Sequence, residues 1–350
     1  MKKIYSILLL LVVTLGFSQQ AYYNGINFSL NGQPLKNQLA QLIITTHTKE
    51  LSYSQVWNAL KITDLDPSNS ANVLLVYGWE NGSDGDVTND LSRNKNDNGG
   101  SNGQWNREHV YAQSVGTPDL GQSGPGADAH MLRACDVQRN GTRANRKFAT
   151  GSGNSTVVGA NWYPGDEWKG DVARIIMYMY LHYGNQCLPS NIGVGANADA
   201  GDDMIDLFLT WNAEDPVSQT EINRNNYLTN ANNTYGQGNR NPFIDNPFLA
   251  TKIWGGLPAQ DIWGTLSTTQ MVAFEFSLYP NPTNDRRINI DSEMEVDEIQ
   301  LININGQLMQ QIQKPTRTNN TYTIENLPSG FYFIKISSEN QSITKKVIVN

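Results

Sequence analysis

Residues 105–114 read WNREHVYAQS, which sets Arg107, Glu108 and His109 side by side. A guanidinium, a carboxylate and an imidazole in a row do not build a core. They hold cations and move protons. About twenty residues on, DAHML (128–132) puts His130 beside Asp128, and RNGTRANRKF (139–148) adds Arg139, Asn140, Arg143, Asn145 and Arg146. One carboxylate, one imidazole, amides and arginines suit a hard, oxygen-preferring ion such as Mg²⁺ and a phosphate substrate. An imidazole with a pKa near 6.5 can take a proton from an attacking water at neutral pH. The ion would neutralise charge on phosphate oxygens, and arginines would grip neighbouring phosphates.

Other constellations are excluded. Glu108–His109 lacks the second histidine of H-E-x-x-H, GQSGPG (121–126) fails the nucleophile-elbow pattern, and no Walker-type phosphate loop occurs. Two cysteines, Cys135 and Cys187, are too few for a thiolate zinc site. They are read either as a disulfide or as two buried thiols. The Gly/Asn/Asp/Ser-rich stretch 81–104 has loop chemistry without the closing glutamate of an EF-hand, and reads as a loop at the rim of a site.

A chain of 350 residues is long for one compact core and about right for two domains. With 39% hydrophobic and 17% charged residues it is a soluble globular protein. The net charge of -8 argues against a passive coat on nucleic acid but leaves room for a local positive cleft. Residues 133–147 offer one: Arg133, Arg139, Arg143, Arg146 and Lys147, opposed only by Asp136. At the start, Lys2 and Lys3 precede an apolar run of signal-peptide length, with cleavage expected near Ser18. No later stretch is apolar enough to span a membrane.

The elements that must carry these residues follow from periodicity. Leu35, Leu39, Leu42 and Ile43 repeat at helical spacing, and Ser52 is a cap candidate for a helix bearing Val56, Trp57 and Leu60. NVLLVYGW (72–79) suits a buried strand, GDVARIIMYMYLHY (170–183) a core helix with Asp171 in its first turn, and MIDLFLTWN (204–212) another helix. From Phe276 onward, short alternating runs separated by turns predict a small all-β sandwich, with a hairpin at Asn305–Gly306.

WNREHVYAQS, DAHMLRACDVQRNGTRANRKF, KGDVARIIMYM and QGNRNPFIDNPFLATKIWG together resemble the bacterial endonuclease I family, in register over most of residues 25–255. The resemblance implies a periplasmic or secreted non-specific nuclease with a ββα-metal (His-Me) finger around one divalent ion. Carried over by position, it implies His109 as general base and Glu108 and Asn140 as metal ligands. It implies Arg143 as a catalytic phosphate-binding or site-organising residue, and His130 and Asn145 as residues supporting the site. Arg107, Arg133 and Arg146 are candidate phosphate contacts on charge and position. Met131 stands where the family often has His or Asn. FSLYPNPTNDRRINI, NINGQLMQ, LPSGFYFIKI and KKVIVN resemble the sorting domain of type IX secretion, which implies export and handling by that machinery.

The expected fold is α+β: a mainly helical nuclease domain with the ββα-metal finger, plus a small all-β sandwich. The expected boundaries are a signal peptide at 1–18, the nuclease domain at 19–264, a linker at 265–275 and the sorting domain at 276–350. The expected activity is Mg²⁺-dependent hydrolysis of DNA and RNA by a secreted or surface-attached monomer, with Ca²⁺ or Mn²⁺ as substitute ions. A non-enzymatic surface adhesin and a phosphodiesterase for small nucleotides are the alternatives. Consecutive strand residues point to opposite faces. For Glu108 and His109 to share one site, the backbone there is expected to be bent or irregular.

Overall fold

The computed structural model describes residues 21–199, 201–264, 276–292, 295–304, 306–338 and 341–350. The expected signal peptide and linker lie outside the described residues. The chain divides into two compact units, Met1–Leu266 and Ser267–Asn350.

The first unit mixes helix and sheet. Helix α1 (Gly32–Thr46) buries Leu35, Leu39 and Ile43 on one face. Helix α2 (Tyr53–Thr63) starts at a reciprocal cap, in which Gln55 N–H donates to Ser52 Oγ and Ser52 N–H donates to Gln55 Oε1. Strand β1 (Asn69–Leu74) pairs with Leu65–Asp66 and with β2 (Ser92–Asn94) in a three-stranded antiparallel sheet. NVLLVYGW is therefore strand only as far as Leu74. Tyr77 has φ 74°, a left-handed conformation costing about 1–3 kcal/mol for a residue with a Cβ. Its side chain is fully buried.

Strands β3 (Trp105–His109) and β4 (Leu132–Asp136) form an antiparallel ribbon, and helix α3 (Val137–Arg143) follows without a loop. Asp136 makes that junction possible. It ends β4, and its Oδ1 accepts from the N–H groups of Gln138 and Arg139, capping α3. Its Oδ2 takes Arg93 at 2.8 Å. The expected irregularity at Glu108–His109 is not found. The register runs unbroken from Trp105 opposite Asp136 to His109 opposite Leu132. The chain bends one residue later, at Val110–Tyr111. His109 is the last paired residue, and a two-stranded ribbon twists strongly. Side chains from both of its faces can therefore reach one cleft at its end.

Helix α4 (Lys169–Tyr183) is buried from Gly170 to Leu181, as befits a central helix, and packs on α5 (Asp206–Glu214). Its two buried charges, Asp171 and Arg174, have partners: Arg133 donates to Asp171, and Arg174 donates to Glu221 of helix α6 (Gln219–Thr229). Helix α7 (Phe248–Trp254) packs against α1. Cys135 and Cys187 are both free and buried, so the disulfide alternative is set aside. No helix among the described residues is long and apolar enough to cross a membrane.

The second unit is all β: strands β5 (Phe276–Tyr279), β6 (Ile288–Ser292), β7 (Glu298–Asn303), β8 (Leu308–Gln313), β9 (Thr321–Ile324), β10 (Gly330–Ser338) and β11 (Gln341–Val349). They form an antiparallel four-stranded sheet, β8-β7-β10-β11, and a three-stranded one, β9-β6-β5. Alternate residues such as Ile288, Ile290, Leu301, Ile334 and Ile336 make one core. At the expected Asn305–Gly306 turn, Asn305 lies outside the described residues, and Gly306 takes φ 80°.

Candidate active site

Period-2 geometry divides β3 between two neighbours. Trp105, Arg107 and His109 face the aromatic residues Tyr53 and Trp57, which stand one turn apart on α2. The guanidinium carbon of Arg107 lies 3.4 Å from the Tyr53 ring centroid and 4.2 Å from that of Trp57. Tyr53 also lies 5.5 Å from the His109 ring, and Trp57 lies 5.3 Å from Trp105. This ladder of rings fixes the plane of Arg107. Asn106 and Glu108 face the other way. At the strand end Arg107, Glu108, His109, Asn140, Arg143 and Asn145 line one open cavity of about 350 Å³.

Glu108 is 2% exposed. Tyr77 O–H donates to its Oε1 at 2.9 Å, and Arg143 Nη1 lies 3.2 Å from the same oxygen. Both of these contacts fall on Oε1, and the His109 backbone N–H also bonds the carboxylate. Burial pushes the Glu108 pKa up to about 7, and Arg143 and Tyr77 only partly oppose it.

His109 is held by a backbone carbonyl. Its Nε2 lies 3.0 Å from Gly126 O. A carbonyl can only accept, so Nε2 carries the proton and Nδ1 has the free lone pair. Burial lowers the His109 pKa to about 4, so the ring is neutral at pH 7. Gly126 cannot be enlarged, because a Cβ there would meet Gly121 O at 1.9 Å.

Asn140 sits on α3 with its amide oriented from behind. Its Nδ2 donates to Asn106 Oδ1 at 2.8 Å, which leaves Asn140 Oδ1 as the acceptor on this side chain.

Several sequence expectations need correction. Arg133 is 1% exposed, donates to Asp171 at 2.8 Å and lies 3.4 Å from Asp64, so it cannot meet a phosphate. Arg143 lines the cavity with its side chain fully buried, and of its two expected roles the contacts it makes match the site-organising one. Besides Glu108 it serves the carbonyls of His109 at 2.9 Å and Val110 at 2.7 Å, which makes it the organiser of the strand end. Arg146 is half-buried against Thr142 O and does not line the cavity. Lys147 donates to Ser190 O. The basic stretch 133–147 is thus largely structural. Among the described residues lining the cavity, Arg107 is the cation without a carboxylate partner. Asn145 does line the cavity and is exposed. Residues 81–104 do not line it. Sequence reasoning missed Tyr77, Asn106, Gly126 and the Tyr53–Trp57 pair. Asn106 and the ring pair carry a usable signal, at spacing two on a strand and four on a helix.

His130 lies elsewhere. It is buried, and its Nε2–H donates to Asn239 O at 3.2 Å. Nearby, His47, Asp128 and His182 bring ligand-type atoms within 4.8 Å of one another. A proton joins the two imidazoles of this cluster. Gln237 Oε1 accepts from Ala129 N–H, so Gln237 Nε2 donates to Asp128 and to His47 Nε2. His47 Nδ1 then carries the hydrogen and donates to His182 Nε2 at 2.7 Å. The two ring centroids stand 5.0 Å apart.

Burial lowers the His130 pKa to about 4 against about 6.5 in an unfolded chain. Between those values the unfolded state binds the extra proton. The contribution is therefore complete above pH 6.5 and is lost as pH falls toward 4, at about 1.4 kcal/mol per pH unit. Urea melts from pH 7 to 4 should show a shallower loss of stability for His130→Asn than for wild type. An identical slope would contradict this.

Residues 31–248 match the family model described as Endonuclease I. The chain belongs to the endonuclease I family. This endonuclease I chain is similar to the extracellular ribonuclease of Bacillus amyloliquefaciens, at 42% identity over 253 residues, 69% of this chain and 81% of that protein. It is also similar to the extracellular ribonuclease of Bacillus subtilis (strain 168), at 43% over 244 residues, 67% and 78% of the two. Residues 277–350 match the secretion system C-terminal sorting domain, the type IX tail. The chain is accordingly a secreted or cell-surface nuclease.

Proposed function

We propose that this endonuclease I family member hydrolyses phosphodiester bonds of both DNA and RNA with little regard to sequence, through a strand-strand-helix metal finger made by β3, β4 and α3. The observation that carries the reading is the convergence of Glu108, His109 and Asn140 on one cavity. RNA is included because both Bacillus relatives are named extracellular ribonucleases. The chain enters the export pathway on a signal peptide at 1–18, carries nuclease and sorting domains at 19–264 and 276–350 joined by the 265–275 linker, is handled by the type IX machinery, and acts as a monomer.

The donor set fits one Mg²⁺. The Glu108 carboxylate and Asn140 Oδ1 are hard oxygen donors, and two protein side chains suit an ion that keeps several waters. When bound, the ion supplies charge neutralisation on the phosphate and on the leaving 3′ oxygen. His109 Nδ1 takes the proton of the attacking water as its oxygen bonds phosphorus and the bond from phosphorus to the 3′ oxygen breaks. Gly126 O holds the ring in the tautomer that does this. Arg143 holds the carbonyls of His109 and Val110 and fixes Glu108. Arg107 meets the substrate phosphate with a guanidinium already set in place by Tyr53 and Trp57, so little freedom is lost on binding. Phosphate contacts read no bases, which keeps specificity low.

The test is cleavage of plasmid DNA and of a structureless RNA by the mature chain. We expect both to be cut, cutting to stop in EDTA, and Mg²⁺ to restore it. Undiminished cutting in EDTA would contradict the metal assignment, and cutting of neither polymer the whole reading.

A further inference from the structure

Helix α3 has a cavity on each side. Asn140 and Arg143 line the one that holds His109, while Gln138, Arg139 and Thr142 line a second, of about 390 Å³. The nuclease reading does not use this second cavity. Trp79 also lines it, half-buried, with the Arg139 guanidinium 4.3 Å from its ring centroid. Arg139 is held there by Thr88 O at 2.7 Å and Ser155 Oγ at 2.8 Å. Trp162 lines the same cavity, is 1% exposed, and its indole N–H has no hydrogen-bond partner.

A half-exposed flat aromatic ring beside a fixed guanidinium plane is the chemistry that receives a nucleobase. A helix with its side chains is about 10–12 Å wide, so the second cavity is within reach of a nucleotide on the strand whose scissile phosphate lies at His109. The path ends there. The next cavity shares Trp79 and Ser155 but is lined by Asp166 and Glu167, whose charges repel a phosphate backbone.

We propose that the Trp79–Arg139 cavity is a subsite for an unpaired nucleobase, so that the enzyme favours single-stranded over duplex nucleic acid. A base in a duplex must first leave its stack, at a cost of a few kcal/mol. The inference rests on the nuclease reading of the His109 site.

The test compares wild type, Trp79→Ala and Trp79→Phe on three substrates: a single-stranded oligonucleotide, the same sequence as duplex, and bis-p-nitrophenyl phosphate, which has no base to seat. For Trp79→Ala we expect kcat/KM on the single strand to fall about 10- to 100-fold, mainly through KM. Rates on duplex and on bis-p-nitrophenyl phosphate should stay unchanged, and Trp79→Phe should recover most of the single-strand rate. Equal losses on all three substrates, or no loss on the single strand, would overturn the subsite while leaving the nuclease reading intact. A wild-type protein that cuts neither polymer would overturn the nuclease reading and the subsite with it.

Discussion

His109→Ala is expected to lower the rate of DNA cleavage by about 10²- to 10⁴-fold, the range for loss of a positioned general base. The protein should still fold, because the ring's polar contact is a single hydrogen bond to Gly126 O and Arg143 grips the backbone carbonyl of residue 109, not its side chain. Ion binding should also survive, since Glu108 is held by Tyr77 and Arg143. The check is a cleavage time course beside a thermal melt and an ion titration of the same protein. Full activity in the variant would remove His109 from the mechanism.

Arg143→Met is expected to cost more in stability than any other change at the site. It leaves Glu108 buried beside no cation and abandons the three carbonyls, of His109, Val110 and Ala144, that Arg143 now serves. Breaking a buried pair from one side costs about 3–5 kcal/mol. The second variant, Glu108→Gln in the Arg143→Met background, removes the stranded charge. It should regain part of that stability in urea unfolding and none of the activity. Stability losses that simply add would show that the pair is not coupled. Arg143→Lys should recover less than charge alone suggests, because one ammonium cannot span Glu108, His109 O and Val110 O as a planar fork does.

The sequence announces the chemistry of the site more clearly than its construction. Charged residues that cannot belong to a core stood out at Glu108 and His109, and their adjacency is why the cavity could be anticipated. Alternation in the C-terminal strands and the Ser52 cap were legible for the same reason: each is a short-range pattern. Arg133 misled, and the two roles open to Arg143 could not be separated, because an arginine looks the same in sequence whether it meets water or a buried carboxylate. Their partners Asp171 and Glu108 come from other elements, brought close only by packing. Tyr77 was hidden in an apolar run that reads as a strand, and its positive φ has no sequence marker. Gly126 acts through its carbonyl, which every residue has. The expected backbone irregularity at Glu108–His109 failed because the two-face rule constrains the interior of a strand, and His109 is its end.

The proposed mechanism requires Glu108 and Asn140 to hold one divalent ion beside His109. Anomalous diffraction from crystals of the mature chain soaked in Mn²⁺ tests it directly. The predicted result is a single strong peak between the Glu108 carboxylate and the Asn140 amide oxygen, absent in Glu108→Gln crystals. A peak at His47, Asp128 and His182 instead, or none beside His109 in an active enzyme, would contradict it.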